Sequence, residues 1–83
     1  MIRSVYYVYD VVAKQVASTL ILSDNDDVLV RDFKDSKLPD VMEHHPEDFD
    51  LIKIGVLDTE TGILQSLKPE LVVHLGAIKN GKE

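Results

Sequence analysis

Residues 50–62 constrain the fold more than any other stretch of the chain. From Asp50 the residues alternate strictly, with Ile52, Ile54 and Val56 on one face and Leu51, Lys53, Gly55 and Leu57 on the other. A period of two sustained over this length predicts a β-strand. Asp58-Thr59-Glu60-Thr61-Gly62 follows, and its terminal glycine can take positive φ at a bulge, so the run predicts a hairpin loop. Residues 63–67 then return as a second strand. Just upstream, Pro46 suits the first position of a short helical turn, and Glu47-Asp48 suit the turn after it.

The N-terminal part supplies a second hairpin. Ser4-Val5-Tyr6-Tyr7-Val8-Tyr9-Asp10-Val11-Val12 is rich in β-branched and aromatic residues, which favour strands. Val5, Tyr7, Tyr9 and Val11 share one face, and Tyr6, Val8 and Asp10 share the other; apolar bulk on both faces marks a central or well-covered strand. Ala13-Lys14-Gln15 is the expected reversal, and residues 16–22 form the returning strand. Ser23-Asp24-Asn25-Asp26-Asp27 offers helix N-caps and acids for a first helical turn. A helix over 24–36 follows, with Leu29, Val30 and Phe33 as its apolar stripe and Asp27 with Arg31 as an i,i+4 pair. Pro39 ends it. Residues 38–44 are a connection of open conformation, with Val41 and Met42 expected to pin it to the core. Residues 69–76 fit either a proline-started helix stopped by Gly76 or an extended edge segment.

The expected architecture is α+β, a small antiparallel sheet of about four strands (two hairpins) with one helix packed on one face. It forms a single domain over 1–78, followed by a flexible C-terminal tail over 79–83. At 83 residues the core must be thin, so a partner subunit is expected to add stability. The absence of cysteine excludes disulfides and thiolate metal sites and fits a reducing compartment. The longest apolar run, 16–22, contains Ser18 and Thr19 and falls far short of the roughly 20 residues a bilayer requires. With no secretory h-region at the N-terminus, the reading is a soluble intracellular protein without membrane partners.

Chemistry is sparse. No Ser-His-Asp, GxSxG, P-loop or GxGxxG arrangement is present, so no enzyme and no cofactor are expected. His44-His45 beside Glu43, Glu47 and Asp48 invites a metal reading, but adjacent histidines do not share a helix face and HExxH spacing is missing. Turn and cap roles explain these residues, and no metal ligand is assigned. The sharper constellation is aromatic and basic. Tyrosines beside cations on an antiparallel sheet can stack bases and track the phosphates of a single strand. The candidate nucleic-acid contacts are Arg3, Tyr6, Lys14, Arg31, Lys34 and Lys53, with Tyr7 and Tyr9 read as core-facing. The formal charge of −6 opposes generic phosphate binding. Its acids, however, concentrate between Leu38 and Glu60, where Lys53 is the sole Lys or Arg, which leaves room for a basic face elsewhere.

An ordered set of short elements adds to this. Val8-Tyr9-Asp10, Val30-Arg31-Asp32-Phe33, His45-Pro46-Glu47-Asp48-Phe49, Leu51, Ile54-Gly55, Asp58 and Thr61-Gly62 occur in sequence over residues 4–67. In this the chain resembles the small non-structural protein of gokushoviruses, single-stranded DNA phages of the Microviridae. The resemblance implies a non-enzymatic protein that binds single-stranded DNA in the host bacterial cytoplasm, during viral genome synthesis or the switch to packaging. It transfers no individual binding residue. Self-association into a dimer or higher oligomer is expected with it, as is a possible viral or host replication or packaging protein as partner. The alternative is an assembly factor that docks on a replication or capsid component through the acidic 40–60 region.

Overall fold

A strand that is apolar on both faces is stable where neighbours flank it on both edges. In the computed structural model, which describes residues 1–79, β1 (Ile2–Asp10) occupies that place. On one edge it pairs antiparallel with β4 (Phe49–Asp58), from Ile2 opposite Asp58 to Asp10 opposite Phe49. On its other edge lie β2 (Gln15–Val16) and β3 (Ile21–Ser23), and β5 (Leu64–His74) lies outside β4. The expected α+β class and antiparallel sheet are present, with five strands in place of about four.

The extra strand arises because the returning segment 16–22 is not continuous. Ala17 donates its N–H to the carbonyl of Val8, and the Val8 N–H is then taken by the Ser18 hydroxyl oxygen at 2.9 Å. A side chain thus substitutes for the ladder, and the chain leaves β1 until Ile21 rejoins it opposite Tyr6. Local hydroxyl-to-backbone bonding of this kind competes with regular pairing.

Three irregularities shape the other half of the sheet, one of them at Val72, an extra residue on β5 between Leu71 opposite Ile52 and Val73 opposite Leu51. Val5 pairs with Gly55 and Tyr6 with Lys53, so Ile54 is an extra residue on β4. Opposite it, Gly55 pairs with Ser66 and Lys53 with Glu70, so β5 bulges around residues 67–69. Gly55 is required here, because a Cβ at that position would lie 2.7 Å from the carbonyl oxygen of Gln65. Gly62 closes the hairpin with φ of 78°, as its place in the turn predicted.

The segment 69–76 resolves into extended backbone through His74. A short helix, α3 (Leu75–Lys79), then contains Gly76 within it. Upstream, α1 (Asp26–Asp35) starts where the Asn25 side chain accepts the Val28 N–H at 2.9 Å. Residues expected as an open connection include α2 (Asp40–His44), which buries Met42 but leaves Val41 exposed, contrary to the expectation that both pin it. Pro46–Asp48 forms the expected short turn, of 3₁₀ type. The helices share one face of the sheet. Tyr6, Val8, Phe49 and Leu51 from the strands meet Leu29 and Phe33 of α1, Met42 of α2 and Leu75 of α3 in one cluster.

The tail reading fails at Lys79, which is an anchor. Its Nζ donates to the carbonyl of Ser36 at 2.6 Å and lies 3.2 Å from Glu43 Oε2. Residues 80–83, the rest of that expected tail, lie outside the described residues. The Glu43 carboxylate also accepts the Leu38 N–H at 2.7 Å. That backbone bond first, and Lys79 after it, hold the Glu43 carboxyl below its ordinary range; the Glu60 N–H does the same for Asp58. A carboxyl lowered by folding stabilises the fold above its unfolded pKa of about 4, and the contribution vanishes as pH falls through the lower folded value. The thermal midpoint is therefore expected to drop on acidification across and below that range. Glu43→Gln should flatten the acid limb, as read by circular-dichroism melts from neutral to acid pH.

Candidate nucleic-acid interface

Directly paired residues of an antiparallel sheet share a face, so the register sorts the side chains of β1. Tyr6 lies with Val8, Phe49 and Leu51 on the helix side. It is fully buried, and its hydroxyl donates to Asp26 Oδ1 at 2.6 Å. Burial first, and the Asp26 hydrogen bond second, push the phenol up to about 12. The expectation that Tyr6 stacks bases is therefore corrected, because its ring is core and its one polar atom is occupied.

Tyr7 and Tyr9, expected to face the core, take the opposite side and are half-buried. Tyr7 lies beside Ile52, which in turn lies beside Leu71; Tyr9 lies between Val16 and Asp50. Among the described residues no helix contributes to this side, since the core cluster draws its sheet residues from the other. Periodicity could not decide the orientation, because both faces of β1 carry apolar residues.

The six predicted contacts do not converge. Arg3 pairs with Leu57 on the tyrosine face, with its guanidinium 3.5 Å from Asp24 Oδ1 and its Nε buried without a hydrogen-bond partner. Lys14 is exposed in the turn between β1 and β2, with φ of 60°. These two flank the line Val5, Tyr7, Tyr9, of which Val5 is buried and Tyr7 and Tyr9, about 6.7 Å apart along an extended strand, are the accessible members. Lys53 turns to the helix side beside Tyr6, in an open recess that also contains Asp24, Asp26 and Asp27. Arg31 and Lys34 are exposed on α1, in the opposite layer from Tyr7 and Tyr9.

Electrostatics on the tyrosine face are mixed. Asp50 beside Tyr9 is in contact with His74, Nδ1 to Oδ1 at 2.6 Å, and only 18% of the Asp50 side chain is exposed. At the neighbouring turn, His45, Glu47 and Asp48 bring ligand atoms within 4.8 Å of one another. They do so as consequences of the 3₁₀ turn, with His45 and Glu47 exposed. No helix among the described residues is long and apolar enough to cross a membrane.

A single helix layer over a twisted antiparallel sheet, with two tyrosines on the sheet's open side, defines the class as a small α+β domain with one uncovered aromatic face. Residues 3–78 match the family described as Phage ORF5 protein, and the chain belongs to that family. It is thus a phage protein, as the ordered residue pattern led one to expect. No curated protein and no solved structure matches it.

The buried phenol carries a test of this orientation. Tyr6→Phe keeps the ring and removes the bond to Asp26, and should cost about 1 kcal/mol in denaturant melts. The intact phenol, raised in the folded state, contributes stability below its ordinary pKa of about 10 and loses it as pH rises through the folded value. Alkaline melts of wild type should steepen across that window, and those of the variant should lack this component.

Proposed function

We propose that this protein binds single-stranded DNA without catalysing a reaction, through the uncovered face of its sheet. The supporting observation is the pair Tyr7 and Tyr9, two residues apart on the central strand of a face that no helix among the described residues covers. Aromatic rings in that arrangement stack successive bases of an extended strand in a sequence-tolerant way. Arg3 and Lys14 stand at the two ends of the line to meet phosphates, with the Arg3 guanidinium exchanging Asp24 for a phosphate oxygen. Ile52 and Leu71 extend the apolar surface beneath the bases. The acidic balance keeps the affinity moderate and the salt dependence shallow, since few cations neutralise phosphates here.

In this proposal the activity serves the life cycle of a gokushovirus-type phage, in genome synthesis or the switch to packaging within the host cytoplasm; membership of a phage family and the ordered residue pattern support the reading. A second reading, docking on a replication or capsid protein through residues 40–60, is favoured by Val41, which is 54% exposed among acids of that region. Its mark is a partner that co-purifies after nuclease treatment and is lost in Val41→Asp.

Fluorescence anisotropy with a labelled oligonucleotide at low salt tests the DNA reading. Tyr7→Ala and Tyr9→Ala should each weaken binding by about 1–3 kcal/mol. Lys14→Ala should reduce the salt slope by about 1, while Arg31→Ala and Lys34→Ala leave binding unchanged. Absence of binding at concentrations on the order of tens of micromolar, or equal binding by the tyrosine variants, rejects it.

A further inference from the structure

Away from the helices the sheet presents a broad apolar surface. Tyr7, Ile52 and Leu71 form one row across it, and Arg3, Leu57 and Leu64 form another. Val16 opposite Tyr9 and Leu22 opposite Val5 extend the face beyond the other edge of β1. Leu22, Val16, Leu71 and Leu64 are 45%, 46%, 48% and 53% exposed. Contiguous exposed apolar rows mark a contact surface. β1 has nine residues, so the face is about 30 Å long, and four strands abreast make it roughly 20 Å wide. That footprint, on the order of 600 Å² before side-chain relief, approaches the ~800 Å² each partner contributes to a stable interface.

Charge selects the occupant. Among the described residues whose pairing places them on this face, the basic and acidic side chains are Arg3, Asp50 and His74. Arg3 is three residues from Tyr6 towards one end of β1, and Asp50, opposite Tyr9, stands three residues from Tyr6 towards the other. A face with a cation near one end, a carboxylate near the other and apolar residues between is complementary to itself. We infer that a second copy covers it, sheet against sheet, about a two-fold axis parallel to the sheets, perpendicular to the strands and level with Tyr6. Arg3 of each copy then comes over Tyr9 of the other, beside its Asp50, where ring and carboxylate both attract a guanidinium. Arg3 lies 3.5 Å from Asp24 in the monomer with its side chain 35% exposed, so it is within reach of a partner. Ile52, opposite Tyr7, comes over Gly55, opposite Val5, where the missing side chain leaves room. A two-fold axis along the strands would instead set Arg3 beside Arg3 and Asp50 beside Asp50, which like-charge repulsion opposes. The inner faces interdigitate about 10 Å apart, as in an aligned sandwich, and both helix layers stay outside.

The same face contains Tyr7 and Tyr9. Resting on the DNA reading above, the dimer excludes single-stranded DNA, and the strand binds the monomer. Each occupant weakens the other by the same factor. Self-association thus sets how much free monomer is open to DNA, while the dimer itself does not depend on that reading.

Sedimentation velocity provides the test, first without DNA over a range of protein concentrations. Wild type should pass from monomer to dimer as the concentration rises. Leu71→Lys and Val16→Lys should each weaken dimerisation by about tenfold or more, since each places two ammonium groups in the apolar interface. Val41→Lys, at a comparably exposed residue of α2 in the opposite layer, should leave it unchanged. Arg3→Glu and Asp50→Arg should each weaken the dimer, and the double variant R3E/D50R should associate more tightly than either. Far-UV circular dichroism confirms that each variant is folded. Added oligonucleotide of about eight nucleotides, within the span of one such site, should split the wild-type dimer into complexes with one copy per strand. A wild-type mass that stays monomeric up to about 1 mM overturns the dimer. So do Leu71→Lys and Val16→Lys variants that dimerise like wild type, or a double variant no tighter than the singles. An oligonucleotide that binds the intact dimer overturns the exclusion. One that binds neither wild type nor the monomeric variants rejects the DNA reading and the exclusion with it, and the DNA-free runs alone then judge the dimer.

Discussion

The pairing of β1 with β4 is the constraint on which the remainder rests. It joins residues near the start of the chain to residues some fifty positions later and creates the only region where Tyr6, Val8, Phe49 and Leu51 lie side by side. The helices cover this seam. Leu29, Phe33, Met42 and Leu75 all converge on that seam, and a core this small leaves little redundancy. The bulge at Ile54 lies just beyond this seam, next to Gly55, where the neighbouring strand approaches too closely for any side chain.

Much of this was legible before any coordinates. The alternation from Asp50, the turn at Gly62, the Pro46 turn and the acid-rich start of α1 each follow from local chemistry, and all stand near where the residues put them. What escaped was decided by distant partners. Ser18 interrupts a strand because a particular N–H on β1 lies within its reach. Leu71 and Val73 outweigh the helix-starting character of Pro69 because β4 offers them a ladder. Tyr6 and Tyr7 are equivalent to a period-two reading, and only the phenol's partner on α1 separates them. The candidate site was therefore legible in kind, as tyrosines with flanking cations, and illegible in orientation.

The acidic balance takes on a different meaning in the folded chain. Several carboxylates are committed to internal tasks. Asp26 holds the Tyr6 phenol, Glu43 ties Leu38 and Lys79 to α2, Asp10 accepts the N–H groups of Val12 and Ala13, and Asp58 organises the hairpin loop. Net charge is a sum over such structural acids and the solvent-facing remainder. It therefore describes poorly the field over any one face. On the tyrosine face the nearest carboxylate is largely covered and in contact with His74.

The sequence separation between β1 and β4 also governs when the protein can exist. During synthesis, residues 2–10 emerge before residues 49–58 and must wait, exposed and strongly β-forming, until these follow. Until then the only neighbours within reach are the short β2 and β3, which pair with β1 at few positions and leave its other edge bare. Long-range pairing of this kind is slow because chain closure precedes any stabilising contact. A nascent strand so placed is open to other β-forming chains. In a cell producing many copies at once, the rate at which β4 arrives sets how long each chain remains vulnerable to its neighbours.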